Sequence, residues 1–184
     1  MKLLARGKRG LIYLDGKTLI KKTNPKTFAI NTINTEIFWL KRLNKFNIGP
    51  NLLESGDNWF RMEYIKGILL KDFLKNYDKK ELKKVILEIL KPCRILDKLK
   101  VNKFEMHSPL KHAIIKWKLF GYKVTLLDFE RCRATENPKN VSQFYHFIQI
   151  HLNCGGKVLN ALKEYQKKQN DENFKEFYSI IKRL

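Results

Sequence analysis

Three residues of this 184-residue chain have types and spacing that suit phosphoryl transfer: Lys21 in TLIKK, Glu36 in NTEIFWL, and Asp128 at the end of KVTLLD. That chemistry needs a lysine on a strand near the phosphates, an acid on a helix to hold the lysine, and an acid that binds Mg²⁺ through oxygen. Strand alternation puts Leu19 and Lys21 on one face and Ile20 and Lys22 on the other. Glu36 shares a helical face with Leu40 and Leu43. An acid on a buried face requires a cation, and Lys21 is positioned in the sequence to supply it. Each residue alone has an ordinary explanation, as a solvated lysine, a surface acid or a turn residue. Their joint order on the appropriate elements points to a site.

Those elements follow from local patterning. Short apolar runs from Leu3 to Thr23, with Gly7 and Gly10 in GKRG and a turn at Asp15-Gly16, predict strands joined by a hairpin. After a break at Asn24-Pro25, a helix is predicted over Thr35 to Phe46, with Asn34 or Thr35 as its cap and Glu36 on its first turn. Two strands follow, Asn51 to Glu54 and Trp59 to Ile65, turned at Gly56-Asp57-Asn58. Helices are predicted over Lys71 to Asn76 and Glu81 to Lys100, with Pro92 as a kink or boundary. His112 to Ile115 and Val124 to Phe129 form paired strands turned near Gly121, with Asp128 ending the second. Val141 to Leu152 and Val158 to Leu184 complete the chain as helices.

The formal charge is +20, spread as +7 over residues 1–60, +8 over 61–130 and +5 over 131–184. A thermophile-type surface would raise acids alongside lysines, and here they do not keep pace. The excess favours polyanionic partners, with RNA or a ribonucleoprotein as the expected contact. Cys93, Cys132 and Cys154 are odd in number and widely spaced, which suggests neither a disulfide framework nor a CxxC metal site. The N-terminus lacks a signal-peptide core and no run of 18 apolar residues occurs. A cytoplasmic protein without membrane contact is expected.

Together these residues resemble the protein-kinase-like superfamily, with LIKK at the strand lysine, Glu36 in the helix, EYIKG at the hinge between lobes, and LDFE in place of the metal-binding DFG. The likeness spans roughly residues 5 to 150, and the short C-terminal part looks most like small atypical kinases such as RIO kinases and the KEOPS-associated kinase. The resemblance implies an α+β, two-lobed fold in a single domain, with a small β-rich N-lobe over 1–65 and a short, mainly helical C-lobe over 66–184. It implies ATP in the cleft with Mg²⁺ or Mn²⁺, Lys21 on the phosphates, Glu36 holding Lys21, and Asp128 on metal. Gly7, Gly10, Glu63 and Tyr64 would complete the nucleotide site. The activity implied is transfer of the γ-phosphoryl group to a Ser/Thr hydroxyl of a protein, itself included. The alternative is a nucleotide-binding pseudokinase or ATPase scaffold associated with RNA.

Two motifs depart from the family. The catalytic loop, NKFEMHSPLKHAII, offers Glu105 or His107 where an Asp is usual, with Lys111 reaching the γ-phosphate and His112 where an Asn would bind metal. Glu105 is preferred, because a carboxylate near metal stays anionic and accepts the substrate proton. For His112 a packing role is equally open. Glu130 replaces the glycine of DFG, so a stiffer loop is expected, and no long activation segment follows. Arg131 and Arg133 either clamp an anionic substrate or are solvated.

Overall fold

A computed structural model describes residues 1–26 and 32–184, and the chain divides into two compact units. The first comprises Met1–Lys66 together with Thr125–Cys132, and the second Gly67–Val124 with Arg133–Leu184. The segment carrying Asp128 therefore packs with the N-terminal residues, a long-range association that no division by position along the chain reveals. The fold class is α+β.

In the first unit, β1 (Lys2–Arg6), β2 (Gly10–Asp15), β3 (Thr18–Thr23), β4 (Leu52–Gly56) and β5 (Trp59–Glu63) form an antiparallel sheet in the order β1-β2-β3-β5-β4. Asp15-Gly16 turns β2 into β3, with Gly16 at φ +58, a left-handed value that favours glycine. Arg61 ties the turn by an ion pair to Asp15 at 2.8 Å. The helix α1 spans Thr32–Leu43 and buries Ile33, Ile37, Leu40 and Leu43 in a core that also holds Ile20, Phe60 and Met62. It begins before the predicted start, so Asn34 and Thr35 lie inside it and Glu36 falls on its second turn. Their side chains have no capping role there, since capping belongs to the residue just before the first turn.

The second unit is mainly helical. It contains the short β6 (Ile68–Leu69), α2 (Leu70–Asn76) and α3 (Lys79–Lys98), then β7 (Val101–Asn102) and β8 (Ala113–Lys118). The strand β9 (Gly121–Leu126) carries the chain into the first unit again, and β10 (Arg133–Ala134) with α4 (Asn140–Leu152), α5 (Lys157–Lys167) and α6 (Asp171–Arg183) complete the second. Asp78 caps α3 by accepting from the Glu81 N–H at 2.8 Å. The predicted apolar stripe from Leu82 to Leu96 is buried, and the helix runs through Pro92 as one element, so the proline marks no boundary.

Inside this unit Asp97 accepts hydrogen bonds from the Asn140 N–H (2.9 Å), the Asn140 Nδ2 (2.7 Å), the Val141 N–H (3.3 Å) and the Tyr165 hydroxyl (2.8 Å). Burial raises its carboxyl above the ordinary range, opposed by these donors. The network joins α3, α4 and α5 through buried polar groups, and it extends to the Val101 carbonyl, which accepts from Asn140 Nδ2 at 2.7 Å, and to Arg94, which donates to the Tyr165 hydroxyl at 3.1 Å. Asp97→Ala should therefore lower stability by about 3 kcal/mol, roughly a 6–12 °C drop in Tm for a chain of this size. A thermal melt shifted by less than about 2 °C would contradict this assignment.

Candidate functional site

In the antiparallel register Lys21 lies between Ile12 of β2 and Phe60 of β5, and its side chain is buried although Lys22 beside it is exposed. Its Nζ stands 2.5 Å from Glu36 Oε2, 3.7 Å from Asp128 Oδ1 and 3.9 Å from Glu130 Oε2. The spacing of 15 residues thus closes into a buried ion pair between strand and helix. Burial works against the Lys21 ammonium, but Glu36, Asp128 and Glu130 outweigh it and hold its pKa above the ordinary lysine range. For Glu36, burial pushes the carboxyl up, Lys21 pulls it down, and the neighbouring Asp128 and Glu130 push it up again; the net direction is upward.

Asp128 lies two residues past the end of β9, at φ +65, rather than on the strand as the alternation suggested. Asp tolerates this left-handed conformation better than most residues, because its short polar side chain bonds locally. The turn rotates its carboxylate toward Lys21 and drives Phe129 into the core, where the Phe129 N–H donates to Glu36 Oε1 at 3.4 Å. Gly49, at φ +83, makes room for that ring: a Cβ there would meet Phe129 Cε2 at 2.9 Å and Leu40 Cδ2 at 2.8 Å. Three residues on, the Cys132 carbonyl accepts from Trp39 Nε1 of α1 at 2.8 Å. Helix α1 therefore positions both Glu36 and the whole 128–132 turn.

Glu130 has a partner that the sequence reading missed. Arg9, in the Gly7–Gly10 turn, reaches it at 2.6 Å. Opposite charges at 9 and 130 are too far apart in sequence for any periodicity to connect them, so the only available signal was a buried-side acid where glycine is usual. The turn itself is closed by the Gly7 N–H to Gly10 C=O bond at 2.8 Å, and Asn24 Nδ2 donates to the Gly7 carbonyl at 3.0 Å. A Cβ on Gly10 would lie 3.0 Å from Lys21 Cε, so a glycine there lets the turn sit directly against the lysine stem. At the end of β5, Glu63 accepts from Asn51 Nδ2 at 3.0 Å, and Tyr64 follows with its side chain partly exposed.

Glu36, Asp128 and Glu130 offer carboxylate oxygens all within 4.8 Å of one another, and His112 is not part of this group. The donor set is all carboxylate oxygen, with Lys21 and Arg9 beside it, which suits a hard divalent cation. Asp128, about a third exposed, is the most accessible of the three.

The remaining predicted residues belong to the second unit. Glu105 lies in the 3₁₀ turn Phe104–His107, its carboxylate 3.6 Å from Nζ of the fully buried Lys103. The Lys103 N–H donates to Asn140 Oδ1 at 2.7 Å, so the turn is fastened to the Asp97 network. His107 and Lys111 are exposed, and His112 closes the next turn by donating its N–H to the Pro109 carbonyl at 3.0 Å. Arg133 lies over the Phe104 ring at 4.5 Å. Lys103 was not singled out by sequence, since one lysine among 38 basic residues carries no mark of burial.

A scan against protein-family models and a search of curated proteins find no match. Solved structures do match. WbdD in complex with the kinase inhibitor LY294002 superposes with a TM-score of 0.68 at 18% identity, over 98% of this chain and 45% of that one. The fold is protein-kinase-like. The bifunctional kinase-methyltransferase WbdD gives a TM-score of 0.65 at 18% identity, over 95% of this chain and 42% of that one. The Rio2 kinase-ADP/Mg²⁺-phosphoaspartate complex from Chaetomium thermophilum gives 0.60 at 11% identity, over 100% of this chain and 71% of that one. The chain spans under half the length of the WbdD chains it resembles. Within this fold the sheet lysine Lys21 and the helix glutamate Glu36 stand together as a buried ion pair.

Proposed function

We propose that this chain is an ATP-dependent phosphotransferase that moves the γ-phosphoryl group to a Ser/Thr hydroxyl of a protein, itself included. The observation that carries the reading is the buried Lys21–Glu36 pair with Asp128 and Glu130 gathered around it. The kinases among the structural neighbours support it, and the ADP/Mg²⁺ complex of Rio2 supports ATP with a divalent cation.

In this reading Lys21 binds phosphate oxygens, Glu36 keeps the ammonium extended from the sheet, and the Gly7–Gly10 turn supplies backbone N–H groups. Asp128 and Glu130 would hold Mg²⁺ or Mn²⁺, which neutralises charge on the phosphates when bound. Glu105 accepts the hydroxyl proton as that oxygen bonds to the γ-phosphorus and the bond to the β-phosphate oxygen breaks, releasing ADP. Its ion pair with Lys103 keeps the carboxylate in one orientation for this task. Tyr64 and the end of β5 are assigned to the nucleotide base.

The test is incubation of the purified chain with γ-labelled ATP and Mg²⁺ or Mn²⁺, with and without a cellular protein extract. Labelled protein is expected, and its absence with both metals would remove the kinase assignment. Glu105→Gln should lower the chemical step by about 10²-fold or more while ATP affinity stays near normal, whereas His107→Ala should change neither. The reverse pattern would transfer the role to His107. A second reading, a nucleotide-binding pseudokinase or ATPase scaffold, is favoured by the same Lys103–Glu105 pair, since a carboxylate already engaged by a buried lysine is less free to turn to a substrate hydroxyl. ATP-dependent thermal stabilisation without phosphoprotein would select it.

A further inference from the structure

The hairpin of β8 and β9 in the second unit ends in the least covered large apolar side chains among the described residues: Leu119 is 89% exposed and Phe120 94%. Its base is held firmly. Trp117 packs against Tyr77 and Tyr122 with ring centroids 5.8 and 6.4 Å apart, Tyr122 meets Phe73 edge-on at 5.4 Å, and the Tyr122 hydroxyl donates to Glu81 at 2.6 Å. The tip is therefore presented by a fixed support rather than folded back over it. Lys116, Lys118 and Lys123 flank it, all exposed, and residues 113–126 contain no acid.

We propose that this tip docks the protein on an anionic lipid surface. Leu119 and Phe120 enter the acyl boundary, Trp117, 45% exposed, sits at headgroup level, and the three lysines meet lipid phosphates. Charge complementarity and side-chain type select this occupant. RNA, the polyanion that overall charge suggests, would stack on Phe120 or Trp117 but has no use for an exposed leucine, which lacks a π-face. An adjacent apolar pair at a basic tip suits a lipid interface, where both side chains leave water. Among the described residues no helix is long and apolar enough to cross a membrane, but a two-residue tip needs no such helix.

Co-sedimentation of the full chain with phosphatidylcholine vesicles containing about 20% phosphatidylserine tests this. Binding is expected, weaker by about 100-fold on pure phosphatidylcholine, given three lysines near the surface. Leu119→Ser with Phe120→Ser should weaken binding to the anionic vesicles by about tenfold or more while leaving the thermal melt unchanged, because the altered side chains touch no core. No binding by the parent, or equal binding by the parent and the double variant, overturns the proposal. Retention of a single-stranded RNA that depends on the tip, without vesicle binding, also overturns it and assigns the tip to nucleic acid.

Discussion

Lys21→Met should abolish detectable ATP turnover and lower stability by about 3 kcal/mol at pH 7. Methionine keeps most of the stem volume, so the loss reports the charge rather than a cavity. Glu36 would then lie buried beside two other carboxylates without its cation, and its pKa would rise further above the unfolded value of about 4.3. The sign of the pH dependence follows. Between those two pKa values the folded variant binds more protons than the unfolded chain, so its stability falls as pH rises, by up to about 1.4 kcal/mol per pH unit. Moving from pH 7 to pH 5 should therefore narrow the deficit relative to the parent, by less than about 3 kcal/mol because the parent's Glu36 carboxyl is itself raised by burial. Denaturant titrations of both proteins at the two pH values measure this directly. An equal deficit at pH 5 and pH 7 would show that Glu36 is not left as an uncompensated charge.

Asp128→Asn separates function from fold. Asparagine accepts the left-handed backbone at φ +65 as readily as aspartate, so the turn should survive. Removing one of three clustered carboxylates relieves repulsion from Glu36 and Glu130 while weakening attraction to Lys21, and stability should stay within about 1 kcal/mol of the parent. Turnover with Mg²⁺ should fall on the order of 10²- to 10³-fold, because the most exposed oxygen donor of the cluster has lost its charge. Metal-dependent ATP stabilisation in a thermal shift should fall with it. A variant that keeps both would move the metal away from Asp128. Asp128→Ala is the poorer experiment, since it adds backbone strain of about 1 kcal/mol to the loss of the ligand.

Local patterning was sufficient to specify most elements of this protein. Period-two alternation around Asp15-Gly16 specifies the β2–β3 hairpin, and the apolar stripe from Leu82 to Leu96 specifies α3, because each depends on neighbours within a few residues. The Lys21–Glu36 pair was legible for a related reason: a lysine on a sheet facing an acid on the buried side of the next helix leaves each as the other's available partner. What only the tertiary structure decided involves residues whose meeting depends on long loops. The Arg9–Glu130 pair spans 121 residues, and the fastening of Lys103 through Asn140 to Asp97 unites three segments. The position of Asp128 belongs with these. Alternation extrapolated β9 to residue 128, but Phe129 can reach the space left by Gly49 and Leu40 only if the chain turns first, so core packing ends the strand at Leu126 and sets the carboxylate beside Lys21. Periodicity records which face a residue prefers, and it carries no information on which distant side chain will occupy that face.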